Sequence, residues 1–176
     1  MKSLPVLAPR LQIADATPDH LPAVREIYAP YVLQALCSFE EEVPGVDELR
    51  QRFEASRHDG LPWLVALDDG VVVGYAYAAR YRSRAAYRGT VENSVYIRAD
   101  RQSRGLGGQL LRALIERCRA AGLRQMVAVI GDSANQGSIR LHERAGFVRV
   151  GVLHAVGHKF GREVDTVLMQ RALAQP

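Results

Sequence analysis

The sequence predicts a single α/β domain, a mixed central β-sheet flanked by helices, over residues 1–176 with its core at about 11–171. Three observations predict it. Runs of β-branched and aromatic residues of strand length alternate with longer stretches of 3.6-residue apolar period. One strand passes directly into a glycine-rich turn and then a striped helix, residues 90–122. The chain closes on two further strand-like runs joined by a short turn. With 176 residues and 48% hydrophobic content, such a domain buries a core without disulfides or metal.

The elements follow in order. Residues 11–14 form a first strand. Thr17-Pro18-Asp19 is a helix-start signature, with Pro22 blurring the true start, and Leu21, Val24, Ile27 and Tyr28 form the inward face. A second helix is expected at 47–55. Residues 63–67 and 71–77 flank Asp68-Asp69-Gly70 as a tight hairpin. A strand at 90–97 is followed by the glycine turn, the striped helix and a buried strand at 125–130. A helix from Asn135 ends at Gly146, a C-cap glycine, with Phe147 opening the next strand. Strands at 148–153 and 164–169, joined through Lys159-Phe160-Gly161-Arg162, complete the chain.

The turn carries the first chemical signal. Gln102-Ser103-Arg104-Gly105-Leu106-Gly107-Gly108 places three glycines at a helix N-terminus. No Cβ blocks a ligand there, and free N–H groups at the positive end of the helix dipole favour phosphate. A Walker loop is excluded, because Gly108 is followed by Gln109 and Leu110 rather than Lys and Ser or Thr. The dinucleotide fingerprint fails at position 110, where Leu stands for glycine. A second segment runs Asn135-Gln136-Gly137-Ser138-Ile139-Arg140-Leu141-His142-Glu143-Arg144-Ala145-Gly146-Phe147. Asn135 offers both a donor and an acceptor to an amide-rich ligand. Ser138, Leu141 and His142 share overlapping helix faces.

With the Gln-x-x-Gly-x-Gly loop and this second segment in this order, the chain resembles the GNAT N-acetyltransferases over nearly its whole length. The resemblance implies the acyl-CoA N-acyltransferase fold and acetyl-CoA as co-substrate. It assigns the pyrophosphate to Gln102, Ser103, Arg104, Gly105, Leu106, Gly107 and Gly108, and the pantetheine arm to Val95, Tyr96, Ile97, Asn135 and Ser138. Further motifs are similar to the phosphinothricin and methionine-sulfoximine acetyltransferases: Ser38-Phe39-Glu40 with Pro44, Tyr81-Arg82-Ser83-Arg84, Ala86-Tyr87-Arg88, and 90–96. Leu141-His142-Glu143 and 159–162 fit the same group. That likeness implies acetylation of the α-amino group of small anionic amino-acid analogues by a homodimer. It also implies a large aromatic after Arg88, where this chain has Gly89, which would enlarge or loosen the substrate or dimer region.

Amine acetylation needs a base, an oxyanion donor and a fixed partner for substrate charge. Glu92 is the candidate base. It shares a strand face with Ser94 and Tyr96, and its alternative role is a strand-edge carboxylate paired with a nearby arginine such as Arg84. The resemblance gives the oxyanion donor as a backbone N–H between Val95 and Ile97. His142 stands where many family members have Tyr; with a reference pKa of about 6.5, it either protonates the departing thiolate or serves the helix structurally. Arg82 and Arg84, two apart, form a candidate anion clamp, joined by Arg80 if the strand persists. Phe39 and Glu40 shape the other wall, Glu40 as a candidate partner of the substrate ammonium.

Composition narrows the alternatives. The formal charge is +4, nearly all of it arginine, but without a basic run or stacking motif that would point to nucleic acid. Arg98, Arg101 and Arg104 cluster by the loop, where they would steer a polyanionic cofactor. Cys37 and Cys118 are expected to be free thiols, and His20, His58, His154 and His158 lack metal-ligand spacing, so no metal is expected. The opening nine residues are too short and proline-broken for a signal peptide, and no apolar run is of membrane-spanning length. A cytoplasmic location is the expectation. Acetylation of a protein N-terminus or a polyamine, and a non-catalytic acyl-CoA sensor, remain open at this point.

Overall fold

The structure, a computed structural model, describes residues 11–173; the opening segment lies outside the described residues. Its strands are β1 (Leu11–Asp15), β2 (Trp63–Asp68), β3 (Val71–Arg80), β4 (Thr90–Ile97), β5 (Gln125–Gly131), β6 (Val148–Lys159) and β7 (Arg162–Ala172). Its helices are α1 (Leu21–Gln34), α2 (Val46–His58), α3 (Leu106–Ala120) and α4 (Gln136–Arg144). The predicted element order is observed. The first helix start is a short 3-10 turn, Pro18–His20, that hands over to α1, and α2 runs three residues beyond its expected end.

The seven strands form one sheet in the order β1-β2-β3-β4-β5-β7-β6. All neighbours are antiparallel except β4 and β5, which are parallel. The final hairpin inserts backwards, so that β7 lies between β5 and β6 and leaves β6 at the edge.

Two apolar cores lie on the two faces of the sheet. On one face α1 and α2 bury Leu21, Val24, Ile27, Tyr28, Leu49 and Phe53 against Trp63, Val65 and Tyr75. On the other, the stripe of α3 (Leu106, Leu110, Leu111, Leu114, Ile115, Cys118) packs on Ala66, Val73, Ala76 and Met126. Each fully buried leucine of that stripe contributes about 1.5–3 kcal/mol by leaving water. Burial pushes the Cys118 thiol up to about 12, so it stays an inert core group.

One irregularity positions the site. The parallel pairing of β4 with β5 covers only Thr90–Gln125, Val91–Met126 and Glu92–Val127. Beyond Glu92 the two strands part, while β4 stays paired to β3 through Ile97. The first turn of α3 and the helix α4 flank the opening.

Candidate active site

The parted strands leave a cleft of about 770 Å³ lined by β4 from Asn93 to Ile97, the 102–108 turn and α4. Backbone directions along β4 follow from its hydrogen bonds. Arg98 N–H donates to Val73 C=O on β3, whereas both backbone groups of Ile97 meet the Tyr31 hydroxyl. Ile97 and, by alternation, Val95 therefore direct N–H and C=O away from β3 and into the opening. The backbone of Tyr96 turns to β3, and its ring packs edge-on against Tyr28 and Tyr31, so it contributes a wall rather than a donor.

The glycine turn is built as expected. Gly105 caps α3 in a left-handed conformation (φ 76°), and Ser103 also has positive φ (61°). Gln102, Ser103, Gly105, Leu106, Gly107 and Gly108 all line the cleft. Arg104 does not; it is exposed to solvent. Of the expected steering cluster, Arg101 lines the cleft and is paired with Asp68 at 2.5 Å, while Arg98 is paired with Asp100 at 2.7 Å. The cleft also carries Arg112, Arg140 and Arg144, which make no ion pair among the described residues.

Tyr31 is a site residue that sequence reasoning missed. Its hydroxyl donates to Ile97 C=O at 2.6 Å and accepts from Ile97 N–H and from Gln102 Nε2 at 2.9 Å. Burial keeps the phenol protonated. One oxygen thus ties α1, β4 and the glycine turn together.

On α4, Asn135 is the N-cap, its side-chain oxygen accepting from Ser138 N–H at 3.2 Å. That acceptor is therefore engaged within the helix, leaving Asn135 its NH2 donor for a ligand. His142 is buried. Its Nδ1 lies 2.8 Å from Ser138 C=O, which only accepts, so Nδ1 carries the proton. Its Nε2 lies 2.9 Å from Asn93 Nδ2 and accepts from it. Burial lowers the imidazole pKa, so the neutral ring has no proton at Nε2 to give. His142 thus bridges Ser138 of α4 and Asn93 of β4, a geometry that favours the second of the two roles named for it. Asn93 Oδ1, buried in the cleft, has no partner among the described residues.

A second cavity of about 480 Å³ is lined by Glu92, Arg82, Tyr81, Phe39, Val129 and, from β6, Leu153, Val156, Gly157 and His158. Val129 lines both cavities, so they lie side by side where β4 and β5 part. Burial raises the Glu92 carboxyl above the ordinary range, and Arg82 pulls it partly back. Glu92 makes no ion pair among the described residues, so the expected alternative, a pair with Arg84, does not form.

Three substrate-wall expectations are corrected. Arg84 precedes a 3-10 turn (Ala85–Tyr87), faces solvent and lines neither cavity, because 81–84 is not a strand. Arg80 closes β3 and is ion-paired to Asp59. Glu40 is held by Arg52 at 2.7 and 3.2 Å and by the Tyr28 hydroxyl at 3.1 Å, so it braces α1 and α2 instead of meeting a ligand. Gly89 lines neither cavity either; a side chain there would meet the Arg124 guanidinium at 2.8 Å.

The sequence profile of the Acetyltransferase (GNAT) family matches residues 21–147. The chain belongs to that family. It is 52% identical over 155 residues to the phosphinothricin N-acetyltransferase of Alcaligenes faecalis, covering 88% of this chain and 79% of the relative. It is 45% identical to the L-methionine sulfoximine/L-methionine sulfone acetyltransferase of Pseudomonas paraeruginosa, covering 90% and 92%. Among solved structures, a GNAT phosphinothricin acetyltransferase from Sinorhizobium meliloti, in complex with acetyl-CoA, superposes with a TM-score of 0.90. That pair is 42% identical, covering 93% and 89% of the two chains.

Proposed function

We propose that this acetyltransferase moves the acetyl group of acetyl-CoA to the α-amino group of a small anionic amino acid analogue of the phosphinothricin, methionine sulfoximine or methionine sulfone type. The observation that carries this reading is the adjacency of two cavities at Val129, with amides and a glycine turn in one and Glu92 beside Arg82 in the other.

The cleft residues fit the co-substrate. The turn's N–H groups and the free Arg112, Arg140 and Arg144 suit its phosphates. The orphan Oδ1 of Asn93 and the outward groups of Val95 suit the amides of its arm. When bound, acetyl-CoA supplies an activated thioester carbonyl with a thiolate leaving group. Val95 N–H, which faces the opening, donates to the oxygen on which negative charge develops. Glu92 accepts the proton of the attacking amine, directly or through water, and its raised pKa brings it closer to the working pH. Arg82 holds the acceptor's anionic group. Phe39 supplies an apolar wall.

The enzyme works as a homodimer in the cytoplasm. The dimer is supported by edge strand β6, which exposes Val148 (67%), Val150 (60%) and Val156 (59%), an apolar edge that soluble proteins cover. No helix among the described residues is long and apolar enough to cross a membrane.

An amine panel containing phosphinothricin, methionine sulfoximine, methionine sulfone, spermidine and an alanine-initiated peptide, assayed by free-thiol release, tests the reading. The expected result is turnover confined to the small anionic amino acids. Preference for the peptide or the polyamine would overturn it.

A further inference from the structure

Phe39 belongs to the irregular segment between α1 and α2 and is 41% exposed, so its own backbone does not hold its ring in place. Strand β6 does. A Cβ built on Gly157 would lie 2.8 Å from Phe39 Cδ1 and 2.9 Å from Cζ, and closer still to Cε1. Real Cβ atoms do not approach carbon so closely, so the ring occupies the place of a side chain at 157. The backbone of Gly157 is outside the left-handed region, so the glycine is required by the ring and not by the turn of the chain.

The neighbourhood is arranged to deliver that contact. Two residues further along the same strand, Lys159, 1% exposed, donates to Ala35 C=O at 2.9 Å and Ser38 C=O at 2.5 Å. At the end of β5, a Cβ on Gly131 would meet Leu36 C=O at 2.8 Å. The segment leading into Phe39, residues 35–38, is therefore docked on both β6 and β5. The register of β6 slips between Leu153 and Gly157, where Ala155 takes positive φ (52°) and its N–H donates to Asp165 Oδ1 at 2.9 Å. This bulge presents Val156 and Gly157 to the acceptor cavity.

We infer that Gly157 is a specificity-determining residue: by seating the Phe39 ring against β6 it keeps the cavity wide enough for the side chain of the acceptor. The inference rests on the acceptor reading of this cavity. A methyl group at 157 pushes the ring off the strand, towards Arg82 and Glu92, and selects against long acceptors.

The test is a cycle of Gly157→Ala, Phe39→Leu and the double variant, with methionine sulfone as the long acceptor and alanine as the short one. Acceptor binding is measured by calorimetry in the presence of CoA, beside kcat and KM. In Gly157→Ala the long-to-short preference should fall about tenfold, the scale of one methylene in a pocket, with KM for acetyl-CoA unchanged. The double variant should match Phe39→Leu alone, because without the ring the methyl displaces nothing. An unchanged preference in Gly157→Ala, or a double variant that adds the two effects, would overturn the inference. If Gly157→Ala fails to fold, equality of the double and Phe39→Leu supports it, and inequality overturns it. Absence of transfer by the wild type would count against the proposed reaction, while the binding ratios would still decide the role of Gly157.

Discussion

Glu92 and Arg82 share one cavity and are electrically coupled, so a change at Arg82 must appear in the titration of Glu92. In the proposed reaction activity needs the carboxylate and is lost as pH falls through its folded pKa. Removing the Arg82 charge removes the influence that lowers this value. Arg82→Gln should therefore shift the acidic limb of kcat to higher pH and raise KM for an anionic acceptor about tenfold; an unmoved limb would uncouple the two groups. Linkage gives a second consequence. The folded pKa of Glu92 is above the unfolded one, so stability falls as pH rises through the window between them. Glu92→Gln should thus melt at or above the wild-type Tm at pH 7. His142 should show the neutral Nδ1-protonated tautomer by 15N NMR at pH 7, with no limb of kcat near 6.5; a charged ring would contradict the hydrogen-bond chain through Ser138 and Asn93. Residue types were legible in the sequence where their neighbours are local: strand alternation is enough to put Glu92 and Tyr96 on one face. Glu40 and Arg80 were misread because their partners, Arg52 and Asp59, lie 12 and 21 residues away.

At the scale of elements, the glycine turn and α4 were legible because each rests on a short motif whose physics is local. Gly105 supplies the left-handed cap, and Asn135 caps α4 three residues from the N–H it accepts. Tyr31 was not legible, since nothing near it in the sequence names its partners. It joins elements 66 and 71 residues apart. Tyr31→Phe removes those bonds while keeping the ring. It should weaken acetyl-CoA binding about fivefold to tenfold, the value of about one net hydrogen bond, with KM for the amine unchanged. Calorimetric titration of acetyl-CoA reads this directly. Equal affinity in the variant would show that Tyr31 does not order the turn. The segment 81–84 was misread because period-2 reasoning presumes a strand, and β3 stops at Arg80.

At the scale of the whole molecule, the sequence order of strands and helices was readable from periodicity, but the spatial order was not. Nothing local records that β7 enters between β5 and β6, or that β4 and β5 part after three pairs. That parting makes the site. The edge position of β6 makes the expected dimer surface, and Val148→Asp with Val150→Asp should reduce a species of twice the 19.4 kDa chain mass to the monomer in light scattering. A wild-type mass of one chain would contradict the dimer.

In the proposed reaction a thioester bound on one side of the parted strands meets an amine deprotonated by Glu92 on the other. The most direct measurement is thiol release with methionine sulfone by wild type and Glu92→Gln across pH 5–9, beside the acetyl-CoA affinity of both. The expected result is a wild-type profile rising through a raised carboxyl pKa. Glu92→Gln should lose about a hundredfold or more in kcat and the acidic limb with it, with acetyl-CoA affinity unchanged. Superimposable profiles of the two proteins would contradict it.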